Sequence, residues 1–332
     1  MPIINFEALH FPYKYGLGNT VHTLNCTWSD ILLAAVTVGR KNWEWVTKNG
    51  VLSEREMSFR INMILAFLKE NSRSQIVRTQ NFITLDPSEK VAISYFLGLV
   101  GTKLMAEKVF NVPWLMHLDV YTRFATGSDR VFIEKWKEHC NIRPDLIGLD
   151  TNGDWVVVEA KGRTNNMSHI NLAKAKSQTE NIRKINGQDP ILRFANSTYF
   201  SQNIWHFSLL DPEEFHESAP DIEITQGQFL RDYYATIFHF LQHKESEKIK
   251  YNNHFFTVRT LKGTTVKVGI ETNLFSNLKE YQYDEQIVEE VILSSCDDFK
   301  YTEDNNYDYK EKKKNILNNH ISVGNDGVII SY

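Results

Sequence analysis

Three residues within "RPDLIGLDTNGDWVVVEAKGR" (143–163) could do chemistry together: Asp145, Glu159 and Lys161. Each adjoins an apolar run of the kind that becomes a buried strand, and the turn residues between the runs predict a hairpin. Side chains alternate along a strand, so Glu159 and Lys161 share one face. Val156, Val158 and Ala160 take the other, where small apolar residues suit packing under a helix. The face of Asp145 depends on the loop. A two-residue Asn152-Gly153 loop pairs Asp145 with Ala160 and separates the carboxylates. A three-residue loop, Thr151 to Gly153 with Gly153 left-handed, pairs Asp145 directly with Glu159, and this loop is the expectation.

Two carboxylates roughly 5 Å apart at Cβ repel unless something positive lies between them. Lys161 can reach, but a divalent cation fits better, because hard cations take carboxylate oxygens at about 2.0 to 2.6 Å. A metal held in this way, with a lysine beside it, suits phosphodiester hydrolysis. The ion polarises a phosphoryl oxygen and lowers the pKa of a bound water. The lysine orients that water or stabilises charge developing on the phosphorus oxygens. The plainer reading is a surface ion pair between Glu159 and Lys161, worth little energetically. It leaves the three consecutive valines before the glutamate unexplained.

"RPD" followed by "VEAK" resembles the PD-(D/E)xK motif of the restriction-endonuclease-like nucleases. Pro144 and Asp145 match its PD, and Glu159-Ala160-Lys161 match its (D/E)xK. The resemblance implies that Asp145, Glu159 and the main-chain carbonyl of Ala160 bind Mg²⁺ (or Mn²⁺), with Lys161 as the catalytic lysine. It also implies a core of helix, three strands, helix and strand. Members often carry an acid on the first core helix, for which Glu107 is the candidate, and a glutamine or lysine on the helix after the lysine strand. Lys174 and Gln178, at i and i+4, share one helix face and fit that role. The motifs and this core account for about 125 residues. The preceding "GTKLMAEKVFNVPWLMHLD" is similar to bacterial nuclease-like proteins associated with anti-phage defence, which implies a partner protein of a defence system.

Charge bears on the ligand. From Lys161 to Lys184 there are six basic residues and one acid, a local +5 in a chain whose net charge is -4. That asymmetry fits an anionic ligand held at one place, and equally a solvated helix face. Arg163 could contact phosphate. Arg143, two residues before Asp145, is placed to touch substrate or neutralise the carboxylate. Nucleic acid, with DNA favoured, is the expected partner, and cutting both strands of a duplex would call for a homodimer. His117 and His169 lie near the motif in order, but lone histidines are more often structural. His139-Cys140 lacks a second pair for zinc. Tyr301, Tyr307 and Tyr309 could stack bases, though ordinary loop or core roles are commoner.

With 332 residues and 42% hydrophobic content the chain can hold one large domain or two modest ones. No apolar run is long enough to span a membrane. Scattered Cys26, Cys140 and Cys296 form no disulfide framework, so a reducing compartment, the cytoplasm, is expected.

The pattern predicts an α/β protein with a restriction-endonuclease-like core, a mixed sheet flanked by helices. A mainly helical region would fill 1–85, the nuclease core 86–245 and a β-rich accessory region 246–332. Ser53 to Glu56 has a capping-box pattern. Asp86, Pro87 and Glu89 open a buried helix running to about Val109, with Val91, Ile93, Phe96, Leu97, Val100 and Leu104 inward. Strands are expected at 114–121, around the hairpin, at "ILRFANSTYF", at "NIWHFSLL" and at "GVIISY", with a further hairpin around Lys262-Gly263. Helices are expected at 128–140, from about 168 to 185 with Asn186-Gly187 as its stop, after Asp211, and over 227–244. Residues 297–315 read as an exposed polar loop.

Two other functions compete with the metal-dependent endonuclease. One is a non-catalytic module that binds nucleic acid or a partner protein through the basic helix, which would not require the acids and lysine. The other is a two-carboxylate glycosidase, whose acid and base need no lysine two residues away.

Overall fold

The computed structural model describes residues 1–38, 42–119, 143–165, 169–211, 219, 221–281, 284–300 and 321–332, the side chains of 169–171 and 296–300 excepted. The expected helices at 128–140 and after Asp211, the His139-Cys140 pair and the three C-terminal tyrosines fall outside these residues. So does most of 297–315, although 297–300 close a helix.

Two strands, β1 (Ile3–Leu9) and β2 (Val21–Asn25), pair antiparallel at the start of the chain. Helix α1 (Trp28–Thr37) opens on a capping box between Thr27 and Asp30 and is buried along most of its length. Helix α2 (Trp43–Phe67) is capped by Asn42, whose side chain accepts from the Trp45 N–H, and breaks its helical geometry at Asn49. Ser53 is therefore not an N-cap. It lies within α2 and is buried, because the helix resumes immediately after the Asn49 kink.

Strands β3 (Leu68–Glu70) and β4 (Ile76–Arg78) precede the short helix α3 (Gln80–Thr84). Asp86, Pro87 and Glu89 then start α4 (Pro87–Phe110) as the cap pattern requires. Leu97, Val100 and Leu104 are buried, while Val91 is 64% exposed because only the later turns of α4 lie over the sheet.

The central sheet contains β5 (Trp114–His117), β6 (Leu146–Leu149), β7 (Trp155–Gly162), β8 (Leu192–Ser201) and β9 (Ile204–Leu210), with α5 (His169–Thr179) between β7 and β8. Its order is β2-β1-β9-β8-β7-β6-β5, with β4 joined to β9 and to β3. The β7–β8 and β1–β9 pairs are parallel and the rest antiparallel, so the chain is mixed α/β with a mixed sheet. The first 85 residues accordingly supply four strands to the sheet that carries the motif.

Helix α5 stops at Thr179, short of 185. Asn186 and Gly187, both at positive φ, turn a small hairpin in which Ile185 and Gln188 exchange backbone hydrogen bonds. A turn of two left-handed residues is what Asn-Gly favours, and here it made a hairpin in place of a helix stop.

The two sheet faces are covered differently. Helix α4 lies on the face of Val156, Val158 and Ala160: Asn196 donates to Thr102 at 2.8 Å, and a Cβ on Gly162 would fall 1.6 Å from the Ser94 carbonyl oxygen. This approach brings helix backbone onto strand backbone directly behind Lys161. On the other face, Leu172 and Ala175 of α5 pack with Ala195 and Leu210.

Beyond α6 (Gln226–Leu241) a second sheet forms from β10 (Glu247–Tyr251), β11 (His254–Thr260), β12 (Lys267–Glu271), β13 (Ile321–Val323) and β14 (Val328–Ser331), in the order β10-β11-β12-β14-β13. Helices α7 (Thr272–Tyr281) and α8 (Glu285–Lys300) accompany it. One continuous apolar cluster includes Val157 of the first sheet and Val268, Ile270 and Val328 of the second, so the two sheets share a core. No helix among the described residues is long and apolar enough to cross a membrane.

Candidate functional site

Leu146 pairs with Val158 and Leu149 with Trp155, so the register continues to Asp145 opposite Glu159. The loop is the three-residue one. Asp150 pairs its backbone N–H with Asp154, and Gly153 sits at φ +84°. The Asp150 side chain holds the turn by accepting from the N–H groups of Asn152 and Asp154, each at 2.8 Å. Turn chemistry thereby fixes which face carries Asp145.

The two carboxylates are stitched to each other's strands. The Asp145 N–H donates to Glu159 Oε2 at 2.9 Å, and the Ala160 N–H donates to Asp145 Oδ2 at 3.2 Å. Lys161 hydrogen-bonds Glu159 Oε1 through Nζ, which lies 4.0 Å from Asp145 Oδ2. Glu159 is fully buried, whereas Asp145 and Lys161 keep about a quarter of their side chains exposed. The triad is therefore reachable from solvent through two of its members.

Pro144 has a structural part in this arrangement. Strand registry places it opposite Ala160, where an ordinary residue would donate its N–H to the Ala160 carbonyl. Proline has no N–H to give. The N–H and carbonyl of one strand residue point to the same side, so the Ala160 carbonyl faces the Asp145 side without that ladder donor. Two carboxylates and this carbonyl form an oxygen donor set of the kind hard divalent cations take. Among the described residues no group of three His, Cys, Asp or Glu side chains is preassembled for a metal, so carbonyl or water oxygens would complete the coordination.

Burial, followed by the charge of Asp145, pushes the Glu159 carboxyl up to about 8, and Lys161 only partly opposes this. Burial also raises the Asp145 carboxyl. A raised carboxyl in the folded chain holds a proton that the unfolded chain releases near pH 4.3. Stability from this group is thus full below that pH and is lost as pH rises toward 8. A divalent cation held by the same carboxylates would displace that proton. We expect the metal-free protein to lose stability between about pH 4.5 and 8, and Mn²⁺ binding to tighten and release protons over the same window. Urea denaturation with EDTA and calorimetric Mn²⁺ titration at pH 5.5 and 7.5 check both; pH-independent stability and affinity would contradict it.

Other expected residues fall in and out of the site. Arg143 forms an ion pair with Asp119, which follows β5 and whose charge contributes to the raised Asp145 carboxyl. Arg163 is exposed just past β7, its N–H bonded to the Thr198 carbonyl at 2.8 Å. Gln178 lies three residues after buried Ala175 on the sheet-facing side of α5, and its Oε1 is buried without a protein partner. Lys174 is exposed, so the two do not enter the site as an equivalent pair. His117 pairs with Leu146 and so shares the α4 face, away from the carboxylates. The side chain of His169 is outside the described set.

Glu107 does not join the site. Ser94 and Gly98 of α4 lie over Gly162, and Glu107 is nine residues beyond Gly98, roughly 13 Å along the helix. It is committed elsewhere. Lys103 Nζ donates to Glu107 Oε2 at 2.7 Å and to the Pro113 carbonyl at 2.5 Å, and Asn325 donates its N–H to Glu107 Oε1 at 3.2 Å. An acid on the expected helix was thus drawn into a buried network that anchors the β13–β14 turn.

Sequence reasoning missed Asp119, Tyr95 and Ser197. The Tyr95 hydroxyl is pushed up to about 12, chiefly by burial and next by the Asp145 charge. Ser197 pairs with Lys161 across the sheet, and its Oγ is buried without a protein partner. Asp119 had a visible signal, a carboxylate just after an apolar strand; Tyr95 and Ser197 join only through sheet and helix packing. No family model, curated protein or solved structure matches this chain.

Proposed function

We propose that the protein is a metal-dependent nuclease that hydrolyses phosphodiester bonds, most naturally in DNA, with a restriction-endonuclease-like core. The observation that carries this reading is the register that sets Asp145 opposite Glu159 with Lys161 on the same face. Asp145, Glu159 and the Ala160 carbonyl would hold Mg²⁺ or Mn²⁺. When bound, the ion supplies a polarised phosphoryl oxygen and a water of lowered pKa. Lys161 would orient the attacking water and offset charge on the phosphorus oxygens. Arg143, ion-paired with Asp119, is the group that can turn to a phosphate.

The element order α4, β5, β6, β7, α5, β8 supports the assignment of this core. A role beside a partner protein in bacterial defence, a cytoplasmic location and action as a homodimer belong to the same proposal. The competing reading, a binding module without catalysis, gains nothing from a close carboxylate pair, Glu159 fully buried, whose repulsion costs stability.

Purified protein incubated with supercoiled plasmid, linear duplex, single-stranded DNA and RNA should cleave at least one with Mg²⁺ or Mn²⁺ and none with EDTA. Salt-dependent binding without cleavage of any substrate would favour the binding module.

A further inference from the structure

On the rim of the central sheet, away from the carboxylates, Lys69, Arg73 and Arg78 line a cleft of about 510 Å³ whose floor includes Val77 and Ile204. No carboxylate is among the described residues that line it. Lys69 and Arg73 are exposed, whereas Arg78 is fixed by donating to Asn203 at 2.8 Å and by lying over the rings of Phe82 and Phe200.

Strand registry places Lys69, Val77 and Ile204 of this cleft on the catalytic face, while Arg78, next along β4, turns to the other side of the rim. Glu159 pairs with Ala195, and residues 195, 197, 199 and 201 of β8 share a face. Ser201 pairs with Ile204, Ile204 with Val77, and Val77 with Lys69. Paired residues project to the same side, so Lys69, Val77 and Ile204 emerge from the face that carries Glu159 and Lys161. Between the two lies the half-buried pair Tyr199 and His206, stacked with ring centroids 5.7 Å apart. Lys161 sits opposite Ser197, and four residues separate Ser197 from Ser201, about 13 Å along the strand. Lys69 also lies four strands across from β7, about 19 Å, so Lys161 and Lys69 are roughly 23 Å apart, or seven nucleotides at the rise of a duplex strand.

We infer that this cleft binds the phosphodiester backbone of a nucleic-acid strand whose scissile phosphate lies at Asp145 and Glu159, with Tyr199 and His206 as an aromatic platform between them. The inference deepens the nuclease reading and rests on it for what the strand does at the far end. Cations alone would bind any anion. Cations, an apolar floor and an aromatic step in line on one face select a polymer that alternates charge with flat apolar surface.

The test uses the full chain in EDTA and a fluorescein-labelled 20-nucleotide single strand of mixed sequence, with binding read by anisotropy across a salt series. Lys69→Gln with Arg73→Gln should weaken binding about tenfold and reduce the salt slope by about 1.5, the signature of two lost phosphate contacts. If the double variant melts early, Lys69→Gln alone, at an exposed position, should lose about half of that slope change. Unchanged affinity and slope, or no binding by the wild type, overturns the inference. Hydrolysis of bis(p-nitrophenyl) phosphate, too small to reach the cleft, separates it from the nuclease reading. A wild type that binds through the cleft yet hydrolyses neither this ester nor any nucleic acid with Mn²⁺ sinks the nuclease and leaves the cleft. Metal-dependent hydrolysis with cleft variants that bind like wild type does the reverse.

Discussion

Replacing Lys161 with alanine is expected to lower metal-dependent cleavage by a factor of 10² to 10³, the usual loss when one preorganised charge-stabilising donor is removed from a site. Lys161 is the cation hydrogen-bonded to Glu159, and it reaches Asp145 at 4.0 Å. A divalent ion held by the two acids would neutralise them in its place and leave the ammonium group available to water and phosphate. Mn²⁺ affinity should therefore survive the substitution, and rise slightly because a competing cation has gone. Single-turnover cleavage at saturating Mn²⁺, beside a calorimetric titration of the same protein, reads both quantities. Loss of cleavage with retained metal affinity fits a group acting on the reacting atoms. Cleavage at the wild-type rate would remove Lys161 from the chemistry.

Lys103→Met should destabilise the protein by about 3 to 5 kcal/mol at neutral pH, the range for breaking a buried ion pair from one side. Lys103 is wholly buried and bonds Glu107 and the Pro113 carbonyl. Asp326 of the β13–β14 turn lies in the same enclosure, hydrogen-bonded by the Tyr233 hydroxyl and by the Val328 N–H at 3.0 Å. Burial raises its carboxyl to about 6, with Lys103 pulling it down and Glu107 pushing it up. Without the lysine two buried acids lose their cation. The deficit should shrink as pH falls from 8 to 5, since a protonated Asp326 no longer needs it. Urea denaturation at the two pH values measures this, and Asp326→Asn in the Lys103→Met background should recover part of the loss. Equal stability of wild type and Lys103→Met at pH 8 would show that the network carries little energy.

This network also shows where sequence pattern stops being informative. Glu107 sat on the expected helix, near its expected end, and Lys103 at i−4 was a visible partner, but that spacing alone does not tell a buried pair from a solvated one. The deciding partner, Asn325, lies 218 residues away. Asp145 and Glu159 were legible because their geometry is local: a three-residue turn sets the register, and strand periodicity carries it to both carboxylates. Asp86, Pro87 and Glu89 were legible for the same reason, since a helix start is written in four residues.

Tertiary competition explains the differences. The Ser53 capping pattern sits inside α2 because Asn42 caps upstream and the chain bends at Asn49. Asn186-Gly187 found a strand partner and turned a hairpin. A sequence boundary at 85 does not divide the sheet, because parallel pairing of β1 with β9 joins residues about 200 apart. Long-range strand pairing leaves no signature in either segment.

The central claim is that Asp145 and Glu159 close on one divalent ion. Crystals grown with Mn²⁺ and measured near the manganese absorption edge test it most directly. An anomalous peak is expected within about 2.0 to 2.6 Å of an oxygen from each carboxylate, with the Ala160 carbonyl as a further ligand. An empty position between the two acids, at a Mn²⁺ concentration that supports cleavage, would contradict it.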